Sequence, residues 1–107
     1  MILKVNKVAS SANDANVFSY IPADTVKLWE TTATTVIIYH HGKDTDGMGD
    51  DTVTITAANI TQTKAIAERL ADMMSEGQNR ARSKAIMTID KDFALGGITT
   101  ITQSTAV

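Results

Sequence analysis

The chain has 107 residues, 43% of them hydrophobic and 21% charged, which fits a folded chain and not the low-hydropathy, high-charge profile of disorder. Its net charge of −2 lacks the basic footprint of a duplex nucleic-acid binder, and no apolar run approaches membrane-spanning length. The lack of cysteine excludes disulfides, thiolate catalysis and sulfur-ligated metals, and it suits a reducing compartment.

This length predicts a single domain over 1–107 that buries roughly two thirds of its unfolded surface. Aromatic residues are few (Phe18, Tyr20, Trp29, Tyr39 and Phe93), whereas threonine is common. The core is therefore expected to be aliphatic and the exposed sheet surface rich in threonine.

In chain order, MILKVNKVASSA has no signal-peptide h-region and reads as a first strand over 2–8, with Leu3 and Val5 on one face. Residues 9–16 (ASSANDAN) are small and polar, the composition of a loop or wide turn. An extended stretch over 17–21 places Phe18 and Tyr20 opposite Val17 and Ser19, and Pro22 stops it. The alternation in 25–30 puts Val26 and Leu28 on one face, with Lys27 and Trp29 on the other. After a turn at 31–34, residues 35–41 (TVIIYHH) are apolar on both faces, which predicts a central strand buried on both sides.

The most strongly patterned piece is 51–77. Val53, Ile55 and Ala57 alternate with Thr52, Thr54 and Thr56, and the spacing then turns helical through Ile66, Leu70, Met73 and Met74. Asn59 is the expected N-cap, with Gln62 three residues on to complete a capping box, and Gly77 is the expected stop. Lys64, Glu68, Arg69 and Asp72 form the polar face, and Ala67 and Ala71 are expected to flank the stripe and allow close approach to the sheet. Strands at 85–90 and 98–103 follow, separated by a turn that ends in Gly96–Gly97, and the last four residues are expected to fray. The fold class expected is α+β: a mainly antiparallel small β-barrel or sandwich of about seven strands, with one amphipathic helix at about 60–76.

Three stretches could carry chemistry. The loop 42–51 (GKDTDGMGDD) offers hard oxygen ligands in Asp44, Asp46 and Asp50, with glycines that permit the tight wrap calcium needs. It is similar to calcium loops of the thrombospondin type 3 and EF-hand kinds. Counted from Asp44, Gly49 falls correctly at position 6, but Met48 and Ile55 stand where chelating residues belong. The alternative is a solvated turn that binds nothing. His40 and His41 are neighbours on a strand and point to opposite faces, so one metal cannot take both; a solvent-exposed strand end is the expectation, with pairing to a carboxylate the alternative. Arg80, Arg82 and Lys84 form a basic loop suited to a partner contact more than to nucleic acid, since no aromatics are interleaved. With no G-x-S-x-G, H-E-x-x-H or phosphate-binding glycine loop, no enzyme is expected.

The segments MILKVNKVAS, TTVIIYHHG, DTVTITA with the alanine-rich helix after it, AIMTID and GITTITQ together resemble small proteins of marine bacteriophages and cyanophages. That resemblance implies a virion component or assembly partner in the host cytoplasm or the virion, and it transfers no site residue. The expectation is a cytoplasmic, non-enzymatic structural protein that self-associates, contacts other virion proteins and needs no cofactor. The alternative is a calcium or small-ligand module built on the acidic loop.

Overall fold

The computed structural model describes residues 2–40, 51–79, 86–94 and 96–104. Its elements are β1 (Ile2–Ala9), β2 (Ala12–Pro22), a 3-10 turn (Ala23–Thr25), β3 (Val26–Thr31), β4 (Thr35–His40), β5 (Asp51–Ala57), α1 (Ile60–Asn79), β6 (Ile86–Ile89) and β7 (Ile98–Ser104). The α+β class, the seven mainly antiparallel strands and, among the described residues, the one α-helix are as expected. The sheet is not closed. Its order is β2-β1-β7-β5-β4-β3, which leaves β2 and β3 as outer strands.

β1 is the strand on which the two halves of the sheet meet. β2 pairs along one of its edges from Ile2 to Ala9. The other edge is shared: β6 runs parallel to it from Ile2 to Val5, and β7 meets it at Val8 opposite Ile101. β6 is the parallel strand because α1 carries the chain across the sheet before it returns.

Alternation decides the core. Leu3, Val5, Val36, Ile38, Val53, Ile55, Ile98 and Ile101 are buried on one face, and α1 lays Ile66, Leu70 and Met73 over it, with Met74 buried beside them but outside that cluster. Burying each such side chain contributes about 1.5–3 kcal/mol. Thr63 extends the stripe by one turn: it is buried, and its hydroxyl is within donating distance of the Asn59 carbonyl at 3.0 Å and the Ala33 carbonyl at 3.2 Å. That bond ties the helix start to the β3–β4 turn.

Several local expectations are corrected. The 9–16 loop is a two-residue turn, because Ser10 and Ser11 both adopt positive φ (50° and 62°), the backbone of a tight hairpin. The Ser11 amide then donates to the Thr99 carbonyl at 2.9 Å and pins the hairpin tip to β7. Strand β2 thus begins at Ala12, and a bulge between Phe18 and Asp14 absorbs three residues. A register shift between Val26 and Leu28 breaks the simple alternation expected over 25–30.

β4 is not central. It lies next to the outer strand β3, and only Val36, Ile38 and His40 are buried, while Ile37 and Tyr39 are half-buried on the other face. α1 runs through Gly77 to Asn79, because a glycine inside a helix costs only about 1 kcal/mol and does not by itself force a stop. Ala71 is exposed, so of the two flanking alanines only Ala67 packs against the core. The capping box is half formed: Asn59 Oδ1 accepts from the Gln62 amide at 3.0 Å. The Gln62 side chain lies against Gly97 instead of returning to the cap, and its Oε1 is buried with no hydrogen-bond partner among the described residues.

Candidate functional site

The sequence-predicted sites divide sharply in what can be said of them. Asp44, Asp46 and Asp50 lie outside the described residues, as do His41 and the basic residues Arg80, Arg82 and Lys84. Among the described residues, no three His, Cys, Asp or Glu side chains converge as a metal site. His40 overturns the expectation of an exposed strand end. It is buried, because its place in the alternation puts it on the face of Val36 and Ile38. Its cross-strand partner is Asp51, also buried, so the sheet sets a histidine and a carboxylate in register where the acidic loop begins.

The face of the sheet turned away from α1 carries the more distinctive chemistry. Over β4, β5 and β7 it is a threonine lattice. Thr35, Thr56 and Thr100 stand in one cross-strand row; Ile37, Thr54 and Thr102 stand in the next; Tyr39, Thr52 and Ser104 complete a third. At one end of the lattice Thr35 shares a hydroxyl–hydroxyl bond with Thr32. Tyr39 donates to Glu30 Oε1 at 2.7 Å, and this bond to a carboxylate raises the phenol pKa above its ordinary value, with burial and the Glu30 charge adding to it.

Over β6, β1 and β2 the same face changes character. Ile2 pairs with Ile86 on one side and Pro22 on the other, Lys4 stands between Thr88 and Tyr20, and Asn6 opposes Phe18. Four large apolar side chains are open to solvent there: Ile2 at 36%, Phe18 at 44%, Tyr20 at 55% and Ile86 at 55%. The two rings meet edge to face, centroids 5.7 Å apart and planes at 85°. Lys4 Nζ sits 4.9 Å from the Phe18 ring centre, so the cation covers one ring.

Scattered exposed apolar residues need no explanation, but a contiguous set on one sheet face does. Sequence reasoning put Phe18 and Tyr20 on a common face and missed that this face is the uncovered one. Pro22 carries no signal for it, because its missing N–H points to an outer strand and not to an uncovered face. A concavity lies between α1 and β6, about 580 Å³, with Met73, Met87 and Phe93 among its lining and Glu68, Arg69 and Asp72 on the helix side.

Comparison with known proteins adds no relative: no protein-family model, no curated protein and no solved structure matches the chain. No helix among the described residues is long and apolar enough to cross a membrane.

Proposed function

We propose that this chain is a non-enzymatic structural or assembly protein that works by associating with copies of itself. The observation that supports the reading is the open apolar surface of Ile2, Phe18, Tyr20 and Ile86 on one face of β6, β1 and β2. The resemblance to small phage proteins fits a virion or assembly role and extends the partners to other virion components.

Magnitudes say how strong such an association can be. An aromatic side chain offers roughly 150–250 Å², so at these exposures the two rings leave on the order of 200 Å² per copy in water. A stable specific interface needs about 1,000 Å² or more in total. The rings alone therefore support a weak, concentration-dependent contact, and a firmer one needs main-chain pairing or many copies.

The test is solution mass by light scattering over a range of protein concentration. Mass should rise above 107 residues' worth as concentration increases, and Tyr20→Lys should hold the protein at monomer mass without changing its melting temperature. A wild type that stays monomeric throughout would overturn the reading.

A further inference from the structure

We infer that a second copy of this chain docks on β2, antiparallel, β2 against β2 across a twofold axis near Ser19, so that two sheets become one. The inference rests on the self-association proposed above and specifies where it happens.

β2 is an outer strand: among the described residues its only sheet partner is β1. The bulge before Phe18 and the proline at position 22 confine the regular edge to the run Phe18, Ser19, Tyr20, Ile21. That run carries no charge. The opposite outer strand, β3, carries the exposed charge of Glu30, and charged edges resist strand addition. β6 also lacks charge, but it borders the concavity along α1 that Glu68, Arg69 and Asp72 line, and an incoming strand would strip water from those charges.

A twofold axis through a strand edge necessarily makes an antiparallel, self-complementary pair. Its register is then restricted. Paired residue numbers must sum to a constant, and that constant must be even, or outward-facing amides would meet inward-facing carbonyls and the side chains would change faces. Centring the axis on Ser19 satisfies this and sets Phe18 of each copy opposite Tyr20 of the other. Centring it on Tyr20 would set Phe18 against Pro22, which has no amide hydrogen to give.

Charge is consistent with the Ser19 register. Because Lys4 stands beside Tyr20 and Asn6 beside Phe18, each cross-strand row would read Lys4, Tyr20, then Phe18 and Asn6 of the second copy. Two Lys4 side chains are thus never in the same row. They lie at least three strand spacings apart, roughly 14 Å, which is beyond the screening length of about 8 Å at physiological salt. Cross-strand aromatic pairs on both sides of the axis then bury the rings that the single copy leaves wet.

The chain has no cysteine, so one introduced thiol reports the contact cleanly. At a twofold centred on Ser19 the two Ser19 Cα atoms would be about 4.5–5.5 Å apart, which is disulfide distance. Under mild oxidation Ser19→Cys should form a covalent dimer at least about tenfold faster than Glu30→Cys on β3. Tyr20→Lys should weaken the wild-type dimer about tenfold or more, with circular dichroism reporting an intact fold. A dimeric wild type in which Glu30→Cys crosslinks as fast as Ser19→Cys, or faster, overturns the β2 pairing and leaves self-association standing. If Ser19→Cys fails to fold, a folded Tyr20→Lys that dimerises as well as wild type overturns the β2 pairing by itself. A wild type that never leaves monomer mass overturns both.

Discussion

The two faces of this sheet are built from the same strands by the same alternation, yet they behave as different materials. On the inner face Val53 and Ile55 are wholly buried beneath α1. On the outer face Thr52, Thr54 and Thr56, one residue away in each case, are half-buried among other hydroxyl-bearing and apolar neighbours. Period 2 divides residues into two sets, but a covering layer decides which set becomes core. The outer face has no helix upon it among the described residues, and it meets water as a threonine lattice at one end and an aromatic cluster at the other.

Placing the same charge on each layer should break the symmetry between them most strongly. Leu70→Asp puts a carboxylate into the inner layer where a residue 1% exposed now packs, and it should unfold the protein, since an unpaired buried charge costs several kcal/mol. Thr54→Asp puts the same charge on the outer face, midway along β5, and should cost about 1 kcal/mol or less. Both are read by chemical denaturation. A folded Leu70→Asp variant would mean that α1 is not what holds the sheet.

The next effect concerns how the helix is seated. Gly96 and Gly97 both have left-handed backbone (φ 80° and 75°), so alanine at either should cost about 1–2 kcal/mol. Only at Gly97 does the new Cβ also run into the Gln62 amide, whereas at Gly96 it meets open space. Gly97→Ala should therefore be the more destabilising of the two. Adding Gln62→Ala should bring it back towards the Gly96→Ala value, and equal melting temperatures for the two single variants would sink the idea that Gln62 seats α1 against the turn. Asn59→Ala removes the cap on the same helix end and should cost about 1 kcal/mol.

These positions also show how far the sequence could be read. The stripe from Ile66 to Met74 and the alternation of β5 are legible because each repeats one spacing often enough to exclude the other. The hairpin at Ser10–Ser11 was not legible, because its backbone usually selects glycine or asparagine and here serine adopts it. The extent of α1 past Gly77 was missed for the converse reason: a glycine marks a possible stop, and the chain did not use it. Gln62 fits a capping box in its spacing, but Gly97, thirty-five positions later, offers a surface without a side chain, and the glutamine packs there. The aromatic surface was half legible. Phe18 and Tyr20 share a face by simple counting, but only the placement of α1 reveals that nothing covers it.

The smallest expected effect is on the outer face itself, and it is a matter of pH. The Tyr39 hydroxyl donates to Glu30, a bond that the phenolate cannot make and that the carboxylate's charge would then oppose. The folded state therefore holds this proton more tightly than the unfolded chain does. Its contribution to stability is complete below the usual tyrosine value of about 10 and is lost as pH rises through the raised folded value. Because the pair is open to solvent, the change in melting temperature should be slight. The titration midpoint is the better observable. In a Tyr20→Phe background Tyr39 is the sole tyrosine, and its tyrosinate absorbance should appear at higher pH than in free tyrosine. Glu30→Gln keeps an acceptor but removes the charge, so the midpoint should fall back towards the usual value. A midpoint unmoved by Glu30→Gln would show that burial among Ile37, Thr52 and their neighbours, and not Glu30, sets the proton affinity on this face.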